Sequence, residues 1–483
     1  LNRRIFFQFI FFAFIVAGCN KAATVMPKTI APPSTQPVTP LVSPPASYLG
    51  TYTMTEYGNT LVAPVDLSKA IYGYSDKVSY NRGDIAALYL SGPANKNQKI
   101  SLYDANGKIV STVTTPIAIQ PITNVKPWVD GCGYNKTIDY QIPANLKSGV
   151  YNLTGHFSFV VKDNTTPHDI TVVYPSNTNN AYNLGGGKSM YAPTNNISTV
   201  ASFSRIQYGL HDYYSSFFSW MNLQSYNVNY IADVDLDDYT QIQNSKIVII
   251  TGHSEYWTRQ ARENIDLFIA SGKNVLVLSG NTMWWQARYN QPKNLMICYK
   301  NNSYDPLNNT LYSAINWTDP LLNYPTTASI GADYNHGGYG NTLPNRWNGY
   351  KIVSALSPLF TGTGLKNGDI LSVPTREYDC APVVTMIAPG STQIPVIDNT
   401  KLNCYKVELL GYDFAQNLTQ SNKLGLGTFI VYQKTTTSGI VVNAASTNWC
   451  SSTGIGGIDK TKIATITKNM IDLSLNNSSL FSF

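Results

Sequence analysis

The chain has 483 residues, of which 43% are hydrophobic and only 13% charged, with a formal net charge of +6. That length allows two or three domains and a sizeable core, and a charge spread without basic runs gives no sign of nucleic-acid binding. Charged residues fall well below the roughly 25% of an average soluble domain; Tyr, Asn, Ser and Thr supply the polarity instead, as suits an extracytoplasmic protein.

Arg3 and Arg4 precede a mostly apolar run from Ile5 to Ala17 broken only by Gln8, and Val16-Ala17-Gly18 leads into Cys19. The run is shorter than the about 20 apolar residues a membrane-spanning helix needs, and small residues before a cysteine fit cleavage with lipid on the thiol. Residues 1–19 therefore resemble a bacterial lipoprotein signal. The resemblance implies lipidation at Cys19, a membrane anchor and a place in the cell envelope. Residues 20–47 hold seven prolines among Thr, Ser and Val and read as a disordered, extended tether. With Cys19 lipidated, Cys132, Cys298, Cys380, Cys404 and Cys450 remain, an odd number that leaves at least one thiol unpaired. Cys380 with Cys404 is the pairing we expect, and no CxxC spacing points to zinc.

From 48 to 165, short runs of strand formers alternate with turn residues: Ala86 to Leu90, Ile100 to Tyr103, Lys108 to Thr112, Tyr151 to Thr154 and Phe157 to Val161. Asp104-Ala105-Asn106-Gly107 marks a hairpin. This spacing predicts an all-β, immunoglobulin-like sandwich.

Over 166–483 the pattern becomes strand alternating with helix. Strands are predicted at Asp169 to Tyr174, Asn227 to Ile231, Lys246 to Ile250 and Asn274 to Ser279. Between them, Phe217, Phe218 and Met221 share one face of a helix over Asp212 to Gln224. Thr258 can N-cap a second helix through Ala270, with Gly272 placed to end it. The fold class read from this alternation is α/β: a parallel sheet with flanking helices, flavodoxin-like or glutamine-amidotransferase-like, behind the sandwich. Asn335 to Asn341 reads as a surface loop. Gly427 to Gln433 and Gly439 to Asn443 read as paired strands, and Lys460 to Leu473 as a closing helix.

Chemistry concentrates at Thr251-Gly252-His253-Ser254-Glu255-Tyr256-Trp257, just after an apolar strand. Ligands bind outside the carboxyl ends of strands in open sheets, and residues i and i+2 of extended backbone project to one side. His253 and Glu255 can thus share a site. Other local patterns fail. The phosphate-loop pattern needs glycine where Tyr182 stands, and the GxSxG elbow around Ser254 has Tyr256 at its last glycine. Asp233, Asp235, Asp237 and Asp238 read as a solvated acidic loop.

One block runs Asn177 to Asn183 and continues through Gly186-Gly187-Lys188-Ser189-Met190-Tyr191. With Tyr226 to Asp235, Gly252 to Trp257, Gly280-Asn281 through Trp285 and Arg288, Gly368-Asp369-Ile370, Glu377-Tyr378-Asp379 and Ala444 to Trp449, it resembles the C-terminal catalytic domain of the N,N-dimethylformamidase large (beta) subunit family, over roughly residues 140 to 475.

The resemblance implies a mononuclear ferric ion, Fe(III), held by two tyrosines and the glutamate of the His-x-Glu motif. Hard, negatively charged oxygens suit such an ion, which would acidify water and polarise an amide carbonyl. Glu255 maps onto the motif glutamate, Tyr182 onto one tyrosine, and Tyr151 onto the other, with Tyr140 and Tyr174 as competitors. His253 would shuttle protons or orient a ligand, and Asn281 would bind substrate or water. The family position of Asn179 is commonly aromatic and that of Ser254 acidic or proline, so the pocket lining departs from the pattern. The implied activity is hydrolysis of a small amide at its carbon–nitrogen bond by a lipid-anchored enzyme. The alternative is a non-catalytic envelope protein that binds glycan or another envelope component. Partners left open are a second copy of the chain and a small subunit.

Overall fold

The structure, a computed structural model, describes residues 68–483 apart from 155–156, 192–196, 208–211, 291, 341–342, 344–345 and 420–422. The expected lipoprotein signal, Cys19 and the proline-rich tether lie outside the described residues. Every described residue belongs to one compact unit, Pro40–Phe483. Among the described residues, no helix is long and apolar enough to cross a membrane.

The N-terminal part is two packed sheets. Strand Ile85–Ser91 pairs antiparallel with Tyr72–Ser75 and Ile138–Gln141, while Ser79–Asn81, Phe157–Lys162, Gly149–Leu153, Asn95–Tyr103 and Ile109–Ile117 form a five-stranded sheet. Ala86, Leu88 and Leu90 are buried while Ile85 is exposed, the period-2 pattern of a strand with one face inward. Their inward side chains meet Ile100, Leu102, Leu153, Phe157 and Phe159 in one core. The Asp104 carboxylate accepts from the backbone of Asn106 and Lys108, both at 2.9 Å, and so closes the hairpin.

The main sheet has eleven strands and mixed direction. Val228–Ala232, Ile170–Tyr174, Ile247–His253, Asn274–Gly280 and Ile440–Asn443 run parallel in that order. Beyond them the direction reverses. Lys423–Gln433 lies antiparallel to Ile440–Asn443 and to Lys406–Asn417, and Asp333–Tyr339, Glu377–Cys380, Gly349–Ile352 and Ile370–Ser372 complete the sheet in antiparallel pairings.

This overturns the fold class read from sequence. The protein is mostly β, with mixed and antiparallel sheets, and is not a helix-flanked parallel α/β fold. Three long helices occur among the described residues, Asp212–Asn222, Arg259–Ala270 and Lys460–Leu475, and the other four have at most seven residues. The apolar runs of the parallel strands and the Thr258 cap, whose side chain accepts from Ala261 N at 3.1 Å, are where the alternation was read correctly. In the antiparallel half, Gly427 to Gln433 and Gly439 to Asn443 do form paired strands as expected, but the other strands carry no such signal. Strand Asp333–Tyr339 contains most of the glycine-rich stretch expected to be a surface loop. Gly337 and Gly338 sit where a Cβ would come within 2.0 Å of Tyr378 O and 2.2 Å of Gln416 O, so glycine there permits close backbone packing rather than a turn.

Two further expectations are corrected. Cys132, Cys298, Cys380, Cys404 and Cys450 are all free thiols, so Cys380 and Cys404 are not bridged. The acidic cluster is largely tied into the structure: Asp235 accepts from Ser79 (2.9 Å) and Lys162 (2.6 Å), and Asp237 pairs with Lys293 at 3.0 Å. Asp233 is buried, and burial pushes its carboxyl up to about 8.

Candidate active site

His253 is the last residue of strand Ile247–His253, at the carboxyl edge of the parallel strands. The chain then turns through Ser254 and Glu255 into the short strand Tyr256–Thr258. Helix Ser176–Tyr182 clamps this turn. The Thr178 hydroxyl accepts from Glu255 N at 2.8 Å, and the Asn177 amide donates to the Tyr256 carbonyl at 3.0 Å. Tyr182, the last residue of that helix, is thereby aimed at Glu255, and its hydroxyl donates to Glu255 Oε2 at 2.7 Å.

A second carboxylate arrives from the antiparallel half. Glu377 opens strand Glu377–Cys380, and its backbone N–H donates to Thr447 Oγ1 at 3.1 Å. Its Oε2 lies 3.1 Å from His253 Nε2, on which Glu255 Oε2 also bears at 3.6 Å. Asn281 follows strand Asn274–Gly280 with a left-handed φ of 49°, and its Nδ2 donates to Glu377 Oε2 at 3.4 Å. Asparagine tolerates that backbone better than most residues. His253, Glu255, Asn281 and Glu377 are all buried.

Electrostatics follow from this geometry. Burial alone would lower the His253 pKa, but Glu377, Glu255 and Asp379 outweigh it and raise the imidazolium above its usual range. Burial raises the Glu255 carboxyl, opposed by His253 and Lys300. Burial, then Glu255 and Glu377, hold the Tyr182 phenol well above its usual range. The Lys300 ammonium donates to Met190 O at 2.8 Å and lies 5.1 Å from the Tyr256 and Trp285 ring centres. Behind Glu377, Asp379 accepts from Thr282 N at 3.1 Å, and burial raises its carboxyl to about 7.

Of the residues proposed from sequence, the structure therefore brings Tyr182, His253, Glu255 and Asn281 together. Tyr151 is elsewhere: it is buried in the core of the N-terminal sheets, where its hydroxyl donates to Lys147 O at 2.7 Å. Tyr140 belongs to the same core, and Tyr174 packs edge-on against Tyr214 with ring centres 5.4 Å apart. Besides Tyr182, tyrosines that reach the cluster include Tyr191, stacked on Tyr182 with ring centres 4.7 Å apart, and Tyr213, edge-on to His253 at 5.5 Å. Glu377 is the residue sequence reasoning passed over. It stood in a quoted block, Glu377-Tyr378-Asp379, but nothing local ties it to His253.

The donors fit a hard cation. The Tyr182 and Glu255 oxygens converge, Glu377 adds negative charge, and two buried oxygens nearby, Tyr256 Oη and Asn281 Oδ1, have no hydrogen-bond partner. Among the described residues, no group of three or more His, Cys, Asp or Glu side chains is arranged to hold a metal ion.

The profile of the family described as N,N-dimethylformamidase beta subunit-like, C-terminal, matches residues 97–460. The chain belongs to that family. A comparison with curated proteins finds no match. The dimethylformamidase beta subunit-like match starts well before the residue 140 expected, within strand Asn95–Tyr103 of the N-terminal sheets. It also contains every residue of the cluster, Tyr182, His253, Glu255, Asn281 and Glu377.

Proposed function

We propose that the protein hydrolyses carbon–nitrogen amide bonds at the Tyr182–Glu255–His253–Glu377 cluster. The observation that carries this reading is an imidazole whose Nε2 faces two buried carboxylates, one of them bonded to a phenol, in a member of a dimethylformamidase-like family. Tyr182 and Glu255 would hold a ferric ion, which when bound supplies carbonyl polarisation and more acidic water.

The chain's own groups account for the proton movements. His253, whose Nε2 faces the Glu377 carboxylate, accepts the proton of the attacking water at its other ring nitrogen, Nδ1, as the water oxygen bonds to the carbonyl carbon. The same imidazolium returns that proton to the departing nitrogen as the C–N bond breaks, giving a carboxylic acid and an amine. Glu377 and Glu255 favour the charged imidazole formed between these steps. Asn281 holds Glu377 in place, and the surrounding burial limits water to the reacting molecule. Lipidation at Cys19 would set this site in the cell envelope, and radiolabelled palmitate incorporation that a Cys19→Ser change abolishes is its test.

Amine release from a panel of neutral amides, by wild type and Glu255→Gln in parallel with iron content, tests the activity. Turnover lost in the variant supports the reading. An iron-loaded, folded wild type without turnover on any amide favours a binding protein on the same fold.

A further inference from the structure

Tyr182 faces two places. Besides bonding to Glu255, it lines a cavity of about 360 Å³ with Tyr174, Asn179, Phe203, Gln207 and Tyr214. Val78 and Ser158 of the N-terminal part complete the wall, Ser158 within the family match and Val78 before it. Tyr174 is the last residue of strand Ile170–Tyr174, so the cavity lies, like His253, at the carboxyl edge of the parallel strands. That edge is where such sheets bind ligands.

The lining decides the chemistry. Among the described residues it carries no Asp, Glu, Lys, Arg or His, and it combines aromatic rings with carboxamides and hydroxyls. An ionised group would lose its hydration there without a counter-charge. A ring would meet aromatic walls in the edge and offset contacts they favour. At roughly 30 Å³ per water molecule, the volume corresponds to roughly a dozen waters. That is far more than the methyl groups of a minimal amide require.

We infer that this cavity is the substituent pocket of the substrate, and that it takes an uncharged, ring-sized group attached to the scissile amide. The inference rests on the amide-hydrolase reading above and names its substrate class. Tyr182 is the wall the cavity shares with the cluster, so the substituent would sit against Tyr182 with its amide directed past that ring towards Glu255 and His253, which do not themselves line the cavity.

The test uses the full chain and three probes: acetanilide, the ionised para-acetamidobenzoate, and ring-free N-methylacetamide. Asn179→Phe and Gln207→Phe fill the cavity from two sides. The expected kcat/KM for acetanilide exceeds that for either other probe by about tenfold or more, and each variant lowers the ratio by a similar factor. Calorimetric binding of acetanilide weakens in parallel. Ratios unchanged in both variants, or equal turnover of the ionised and neutral ring probes, overturn the proposal. Acetanilide binding that both variants weaken, with no amide hydrolysed by wild type, upholds the pocket and removes the hydrolase reading. N-methylacetamide turnover without acetanilide binding does the reverse.

Discussion

The Tyr182 hydroxyl donates to Glu255 Oε2 at 2.7 Å across 73 residues of chain. The contact exists because Thr178 and Asn177, from the same short helix, fix the backbone on either side of Glu255. A phenol whose pKa is raised by burial and by two carboxylates stays protonated unless a cation replaces its proton.

Tyr182→Phe is therefore expected to remove the phenol without emptying the core, since the ring and its stacking on Tyr191 are retained. Amide turnover should fall by about a hundredfold or more. If the cluster holds ferric iron, the visible charge-transfer colour should be lost as well. Metal analysis and absorption spectra of both proteins, with circular dichroism to confirm folding, check this. A variant as coloured as wild type would remove Tyr182 from the metal site.

The charge on His253 gives a signed pH prediction. Glu377, Glu255 and Asp379 raise its pKa against the lowering effect of burial. An imidazole acting as base must be neutral, so activity should rise with pH through this raised value. Glu377→Gln removes one carboxylate and should move the acidic limb of the profile to lower pH by roughly one to two on the pH scale. The ion pairing also contributes stability that is present below about pH 6.5 and lost as pH rises through the raised value. Urea midpoints of wild type and Glu377→Gln should therefore converge at alkaline pH.

Gly280 is a packing constraint on the same residue. A Cβ there would lie 2.5 Å from Thr447 N and 2.7 Å from Glu377 O, both backbone atoms that cannot rotate away. Gly280→Ala should cost about 1–3 kcal/mol and displace Glu377. Thermal melts and turnover should both decline, whereas a fully active variant would show that Glu377 tolerates displacement.

Arg288 tests the framework rather than the chemistry. Its guanidinium holds the buried Asp305 carboxylate through two bonds, at 2.7 Å and 2.6 Å. Arg288→Met should destabilise by about 3–5 kcal/mol, because Asp305 keeps its backbone hydrogen bonds from Leu307 and Ala314 but is left buried without a counter-charge. Asp305→Asn in the same background should recover part of that loss. Denaturant titration of the single and double variants measures both.

Short-range signals carried much of this protein. The apolar runs of Ile170–Tyr174, Ile247–His253 and Asn274–Gly280 read as buried strands, because a strand covered on both faces must be apolar throughout. Thr258 read as a helix cap because its oxygen is local to the amide it accepts from. The nearness of His253 and Glu255 was legible from their two-residue spacing, although a turn after the strand rather than extended chain joins them, and the family likeness came from contiguous blocks of residues.

Only the tertiary structure decided the rest. The reversal from parallel to antiparallel strands rests on pairings such as Lys406–Asn417 with Lys423–Gln433, whose Tyr-, Gly- and Asn-bearing sequences carry no clean period. Chain folding likewise sent Tyr151 into the N-terminal core and brought Glu377 to His253. Neither outcome is written near those residues, because hydrogen-bonded strand pairing and carboxylate–imidazole contact join atoms that are distant in sequence. Their partners exist only once the sheet has formed.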